Sequence, residues 1–128
     1  MPSGYILAFD YGLKHIGVAV GQFVTQTASP LATLAAKNGN PSWAEIMGLI
    51  REWQPTALIV GLPINMDETE SEMSLRARIF GAALAERYGI PVTMIDERLS
   101  TRAARELDPS KSHEMAAVLI AESWLGQG

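Results

Sequence analysis

Tyr5-Ile-Leu-Ala-Phe-Asp10-Tyr-Gly12-Leu-Lys14-His-Ile-Gly17-Val-Ala-Val-Gly21 is the stretch on which the fold turns. Tyr5 to Phe9 form a short, almost uninterrupted apolar run, which suits a strand covered on both faces in the middle of a sheet. The run stops at a carboxylate, Asp10, and Gly12 marks a turn before a second apolar run, Ile16 to Val20. That second run suits an antiparallel partner strand. A carboxylate at the end of a buried strand must be paired, hydrogen-bonded or cation-bound, because an unpaired buried charge costs about 4 kcal/mol or protonates. Asp-x-Gly is equally the chemistry of a plain turn, in which Asp bonds its own backbone and Gly supplies positive φ.

Outward from this stretch, Pro30 to Ala36 reads as a third strand completing a meander, and Lys37-Asn-Gly-Asn40 as a turn. Asn40 reads as an N-cap with Pro41 in the first helical turn. Trp43, Ile46, Met47, Ile50 and Trp53 recur at helical spacing, which predicts an amphipathic helix over 41–54 that packs on the core. Ala57 to Val60 is another continuously apolar strand. A helix joining two such runs is the crossover of parallel strands. Thr69-x-x-Glu72 fits a capping box opening a long helix, with Met73, Leu75, Ala77, Ile79, Phe80, Ala83 and Leu84 as its apolar interior and Gly89 as its stop. Pro91 to Ile95 is a fifth strand, followed by Asp96-Glu97-Arg98. A short helix from Ser100 or Thr101 to Leu107 and a last one from His113 to Leu125 complete the chain. The expected fold is therefore α/β: a five-stranded mixed sheet, three antiparallel strands then parallel ones, flanked by helices and forming a single domain over 1–128.

Composition narrows the function. The 128 residues carry 19% charged side chains and no cysteine, which fits a folded protein of a reducing cytoplasm and excludes thiolate metal sites. The opening residues carry no basic leader, and no apolar run approaches a membrane span. A net charge of −4 argues against a broad polyanion groove. Five of the ten basic residues, Lys14, Arg98, Arg102, Arg105 and Lys111, nonetheless fall in the segments expected around the acidic strand ends.

Asp10 and Glu97 both stand at carboxyl ends of strands, where α/β sheets gather functional groups. Two converging carboxylates repel unless a cation neutralises them, and a hard divalent ion with oxygen ligands answers that. Such a site can activate water against a phosphate. Glu97 taken alone reads as a surface residue paired with Arg98; only with Asp10 at another strand end do the two readings stand level.

Three motifs in order carry a resemblance: Asp10-x-Gly12-x-Lys14-x-Ile16-Gly17-Val18-Ala19, Val60-Gly61-Leu62-Pro63-x-Asn65-Met66-Asp67, and Asp96-Glu97-Arg98-Leu99-Ser100-Thr101, extended by Met115-Ala116-Ala117 and Glu122-Ser123. Over nearly its whole length the chain resembles the YqgF/RuvX family, pre-16S rRNA nucleases related to Holliday-junction resolvases. The resemblance implies an RNase H-like fold and a cytoplasmic hydrolase cutting phosphodiester bonds with Mg²⁺ or Mn²⁺. Its implied catalytic and metal-binding carboxylates are Asp10 and Glu97, with a third acid where this chain has His113. A neutral imidazole suits Mn²⁺ better than Mg²⁺. Glu68 also departs from the glycine usual in the family, and the Asp108 to Ser112 loop is short. Lys14, Arg98 and Arg102 are the candidate nucleic-acid contacts; Lys14 is equally a solvated turn lysine, Arg98 is alternatively a partner of Asp96, and Arg102 shares one helix face with Arg105, either a phosphate-facing stripe or a solvated face. The expected activity is processing of the 5′ end of precursor 16S rRNA, on structured RNA or branched DNA, by a monomer or weak homodimer without membrane attachment. Rival expectations are a non-catalytic RNA or ribosome-assembly binding protein, a DNA-junction resolvase, and half of a sugar or acetate kinase, for which 128 residues are too few.

Overall fold

The structure, a computed structural model, describes residues 4–62, 72–96 and 112–126. Strand β1 (Tyr5–Asp10) is the centre of the sheet, with β2 (His15–Gln22) antiparallel on one side and β5 (Ala57–Leu62) parallel on the other. Next to β2 lies β3 (Thr27–Lys37), which carries β4 (Asn40–Pro41) at its far end. β6 (Val92–Asp96) runs parallel to β5, giving the order β4-β3-β2-β1-β5-β6. Three helices complete the described chain: α1 (Trp43–Trp53), α2 (Glu72–Tyr88) and α3 (Ser112–Gly126). None of the described helices is long and apolar enough to cross a membrane.

The expected five strands become six, and the reason is a turn. Asn38 and Gly39 both hold positive φ, 53° and 85°. Two successive left-handed residues make the hairpin turn that matches strand twist, so the chain folds straight back and pairs Lys37 with Asn40. Asn40 is therefore a strand residue rather than the expected N-cap. Ser42 takes that role, its hydroxyl accepting from the Glu45 N–H at 3.4 Å. Proline in β3 is tolerated because Pro30 sits beside a register shift: Ala32 opposes Val18 while Pro30 opposes Ala19, leaving Leu31 as the extra residue of a bulge.

Alternation along β1 divides the core. Leu7 and Phe9 face α1 and α2, packing with Ile46, Ala77, Phe80 and Leu84. Ile6 and Ala8 face α3 and meet Ile59, Ile95, Ile120, Ala121 and Leu125. Both faces of β1 are thus dry, which explains its lack of polar alternation. On α2 the expected apolar interior is only partly inside. Leu75 and Ile79 are 54% and 70% exposed, since one helical turn apart they share the side away from Ala77, Phe80 and Leu84. Gly89, with φ of 65°, stops α2 as expected, its N–H donating to the Ala85 carbonyl at 2.9 Å. The expected capping residue Thr69 and the short helix up to Leu107 lie outside the described residues.

Candidate active site

Asp10 closes β1 and is only 6% exposed, one of two polar side chains buried among the described residues. Its partner across β2 is Gly17. Directly opposed residues of an antiparallel pair send their side chains to the same face. That face is the one α3 covers, because Ile6 and Ala8, at the same phase along β1, pack on α3. A Cβ built on Gly17 would fall inside the carbonyl group of His113, with the Glu114 nitrogen 3.0 Å away. Glycine here is a requirement of close approach: the first turn of α3 rests on the backbone of β2. Asp10 and His113, expected from the sequence as site residues, are thereby brought to one corner of the sheet.

Other contacts fix that corner. The ring of His15 lies against the ring of His113, centroids 5.0 Å apart and planes 33° from parallel. Thr33, opposite Gly17 on β3, donates to the Glu114 carboxylate at 2.9 Å. The first turn of α3 is therefore held by both β2 and β3. His15 is a site neighbour that the motifs do not single out. A signal for it exists, since His15 and Gly17 are two apart on β2 and share a face.

The connection between β1 and β2 is fixed from the opposite face. The Tyr11 hydroxyl donates to the Gly39 carbonyl at 2.6 Å, and the Gly39 N–H donates to the Leu13 carbonyl at 2.9 Å. The Lys14 carbonyl accepts from the Ala36 N–H at 2.8 Å, leaving the Lys14 side chain exposed. The β3–β4 hairpin thus holds the loop after Asp10. Glu97, Arg98 and Arg102 lie outside the described residues; Glu97 directly follows the last residue of β6. Among the described residues no three His, Asp or Glu side chains converge as a metal cluster. Of the candidate ligands, the described residues bring the backbones of Asp10 and His113 to this corner, one bearing a carboxylate and the other an imidazole. Such a pair fits part of the coordination of a divalent ion, with a bias from oxygen toward mixed oxygen–nitrogen ligation.

A model of the RuvX family, described as a Holliday junction resolvase, matches residues 4–127. The chain belongs to the RuvX family. It is 49% identical to a protein of Saccharophagus degradans named "Putative pre-16S rRNA nuclease", over 99% of this chain and 96% of that one. A protein of the same name from Alcanivorax borkumensis is 52% identical, covering 93% of each chain. Among solved structures, RuvC of T. thermophilus in complex with a Holliday junction substrate aligns over 94% of this chain and 91% of its own. The TM-score is 0.62 at 19% identity. Yeast mitochondrial Ydc2, described as a Holliday junction resolvase, aligns over 97% of this chain and 78% of its own, with a TM-score of 0.53 at 9% identity. At such identities the likeness concerns the fold, and the expected RNase H-like mixed sheet is the one found.

Proposed function

We propose that this RuvX-family chain is a divalent-metal-dependent endonuclease that hydrolyses a phosphodiester bond at the 5′ end of precursor 16S rRNA. The observation that carries it is the placement of Asp10: a buried carboxylate at the carboxyl end of the central strand, on the sheet face that α3 covers. The names of relatives near 50% identity supply the substrate class. Asp10 and His113 would hold the ion together with Glu97, the next residue after β6. A divalent ion so held would supply positive charge to the phosphate under attack and make water a better nucleophile.

The side chains divide the remaining work. Asp10, fixed through β1 and the hairpin-held loop that follows it, aligns the donor without rotamer searching. His113, its carbonyl against Gly17 and its ring against His15, would present its imidazole to the ion. Lys14, exposed in the connection beside Asp10, meets the backbone phosphate next to the cut. Arg98 and Arg102 are assigned the flanking phosphates. The protein works in the cytoplasm, as monomer or weak dimer.

The test is cleavage of a precursor 16S rRNA fragment by the wild type and by Asp10→Asn, each in Mg²⁺ and in Mn²⁺. Wild-type cutting that disappears in Asp10→Asn, with an unchanged thermal melt, is the expected result. Undiminished cutting by Asp10→Asn would overturn it. The family description favours a second substrate, a four-way DNA junction; preferential cutting of that junction in the same assay would replace RNA by branched DNA.

A further inference from the structure

On the sheet face opposite α3, the residue after Asp10 opens a second site. Tyr11 forms one end of a cleft of about 570 Å³ between the β3–β4 hairpin and helix α2, a size that suits a small organic ligand. Its floor is aromatic. Tyr11 and Trp43 both pack on Phe80, with ring centroids 5.0 and 5.9 Å from it. The guanidinium of Arg87 lies over the Trp43 ring, 4.0 Å from its centroid, and the residue is otherwise exposed. Arg76 stands at the hairpin end in an exposed contact of 3.7 Å with Glu72, an ion pair of the kind worth little. Ile79, largely exposed, makes an apolar wall, and Asn38 offers an amide at the rim.

We propose that this cleft binds a nucleotide of a single strand, and it rests on the nuclease reading only in taking that strand to be part of the substrate. A guanidinium held 4.0 Å over an aromatic ring is a planar cation on which a base can stack. Arg76, releasing Glu72 to water, meets the phosphate. Two arginines in one cleft of a chain with net charge −4 are a local complement to an anion. Tyr11 follows Asp10 in the chain but faces the other side of the sheet, so a strand with one nucleotide in the cleft reaches Asp10 only by passing over the carboxyl end of β1, which a free nucleotide cannot do.

Fluorescence anisotropy of a labelled single-stranded hexaribonucleotide, in EDTA so that nothing is cut, tests it on the intact chain. Saturable binding is expected, weakened about tenfold in Arg87→Ala, in line with the loss of one stacked base. Arg87→Lys keeps the charge and loses the plane, and is expected to bind as poorly as Arg87→Ala. Arg51→Ala removes an exposed cation of α1 outside the cleft and leaves binding unchanged. No saturable binding, or equal losses in Arg87→Ala and Arg51→Ala, overturns the inference. So does equal affinity for a free mononucleotide, or concentration-dependent self-association that Ile79→Arg abolishes, which would make the wall a protein contact. Failure here with Asp10-dependent cleavage intact sinks the cleft alone; binding here without any cleavage sinks the nuclease reading alone.

Discussion

The carbonyl of His113 occupies the space that a side chain on Gly17 would fill. Because Gly17 is the strand partner of Asp10, the seating of α3 and the position of the candidate catalytic acid are one geometric fact. Gly17→Ala must push the first turn of α3 outward. We expect the variant to fold with a loss of about 1–3 kcal/mol, the usual cost of overpacking. Its cleavage rate should fall much further than its population of folded molecules. Chemical denaturation and single-turnover kinetics on the same preparation check both parts.

His113 stands where the family resemblance implies an acid. Restoring a carboxylate with His113→Asp gives the site a harder donor set, which favours Mg²⁺ over Mn²⁺. The ratio of cleavage rates in Mg²⁺ and Mn²⁺ is expected to rise on the order of tenfold, the lower end of what metal-site partners contribute. An unchanged ratio would remove His113 from the metal's surroundings.

Tyr11→Phe deletes the hydrogen bond to the Gly39 carbonyl while keeping the ring against Phe80. A neutral side-chain bond of this kind contributes about 1 kcal/mol, a fall of roughly 4 °C in Tm at this chain length. Gly39→Ala is expected to cost more. Its added methyl meets the Tyr11 hydroxyl at 2.5 Å, and the residue must adopt a φ of 85°. Thermal melts of the two variants should rank in that order.

Gly48 lies exposed inside α1, and a Cβ added there would meet no atom within 4 Å. Gly48→Ala should therefore stabilise the protein by about 0.5–1 kcal/mol through helix propensity alone. Cleavage is expected to stay at the wild-type rate, since α1 packs on the sheet face away from Asp10. A melt and the same kinetic assay decide it.

The buried strands are legible because burial on both faces leaves a plain trace: Tyr5 to Phe9 and Ala57 to Val60 are unbroken apolar runs. Asn40-Pro41 misleads because two local preferences compete there. The dipeptide is good helix-start chemistry, yet Asn38-Gly39 makes a tight hairpin, and strand pairing takes the two residues before Ser42 can cap α1. Leu75 and Ile79 fall inside only if apolar residues are counted along α2; the angle around the helix puts them outside. For the site, Asp10 can be read from a charge ending an apolar strand. His15 cannot be read so easily, because its meaning depends on α3 returning to β2 across nearly a hundred residues, a contact that no local pattern announces.

That long return has a consequence during synthesis. Every strand of the sheet is translated before α3, and among the described elements only α3 covers Ile6, Ala8 and Ile59. A nascent chain that has finished its sheet still shows the ribosome a bare apolar face and lacks the corner at Gly17. Whatever chemistry that corner performs is in this way withheld until α3 docks on β2.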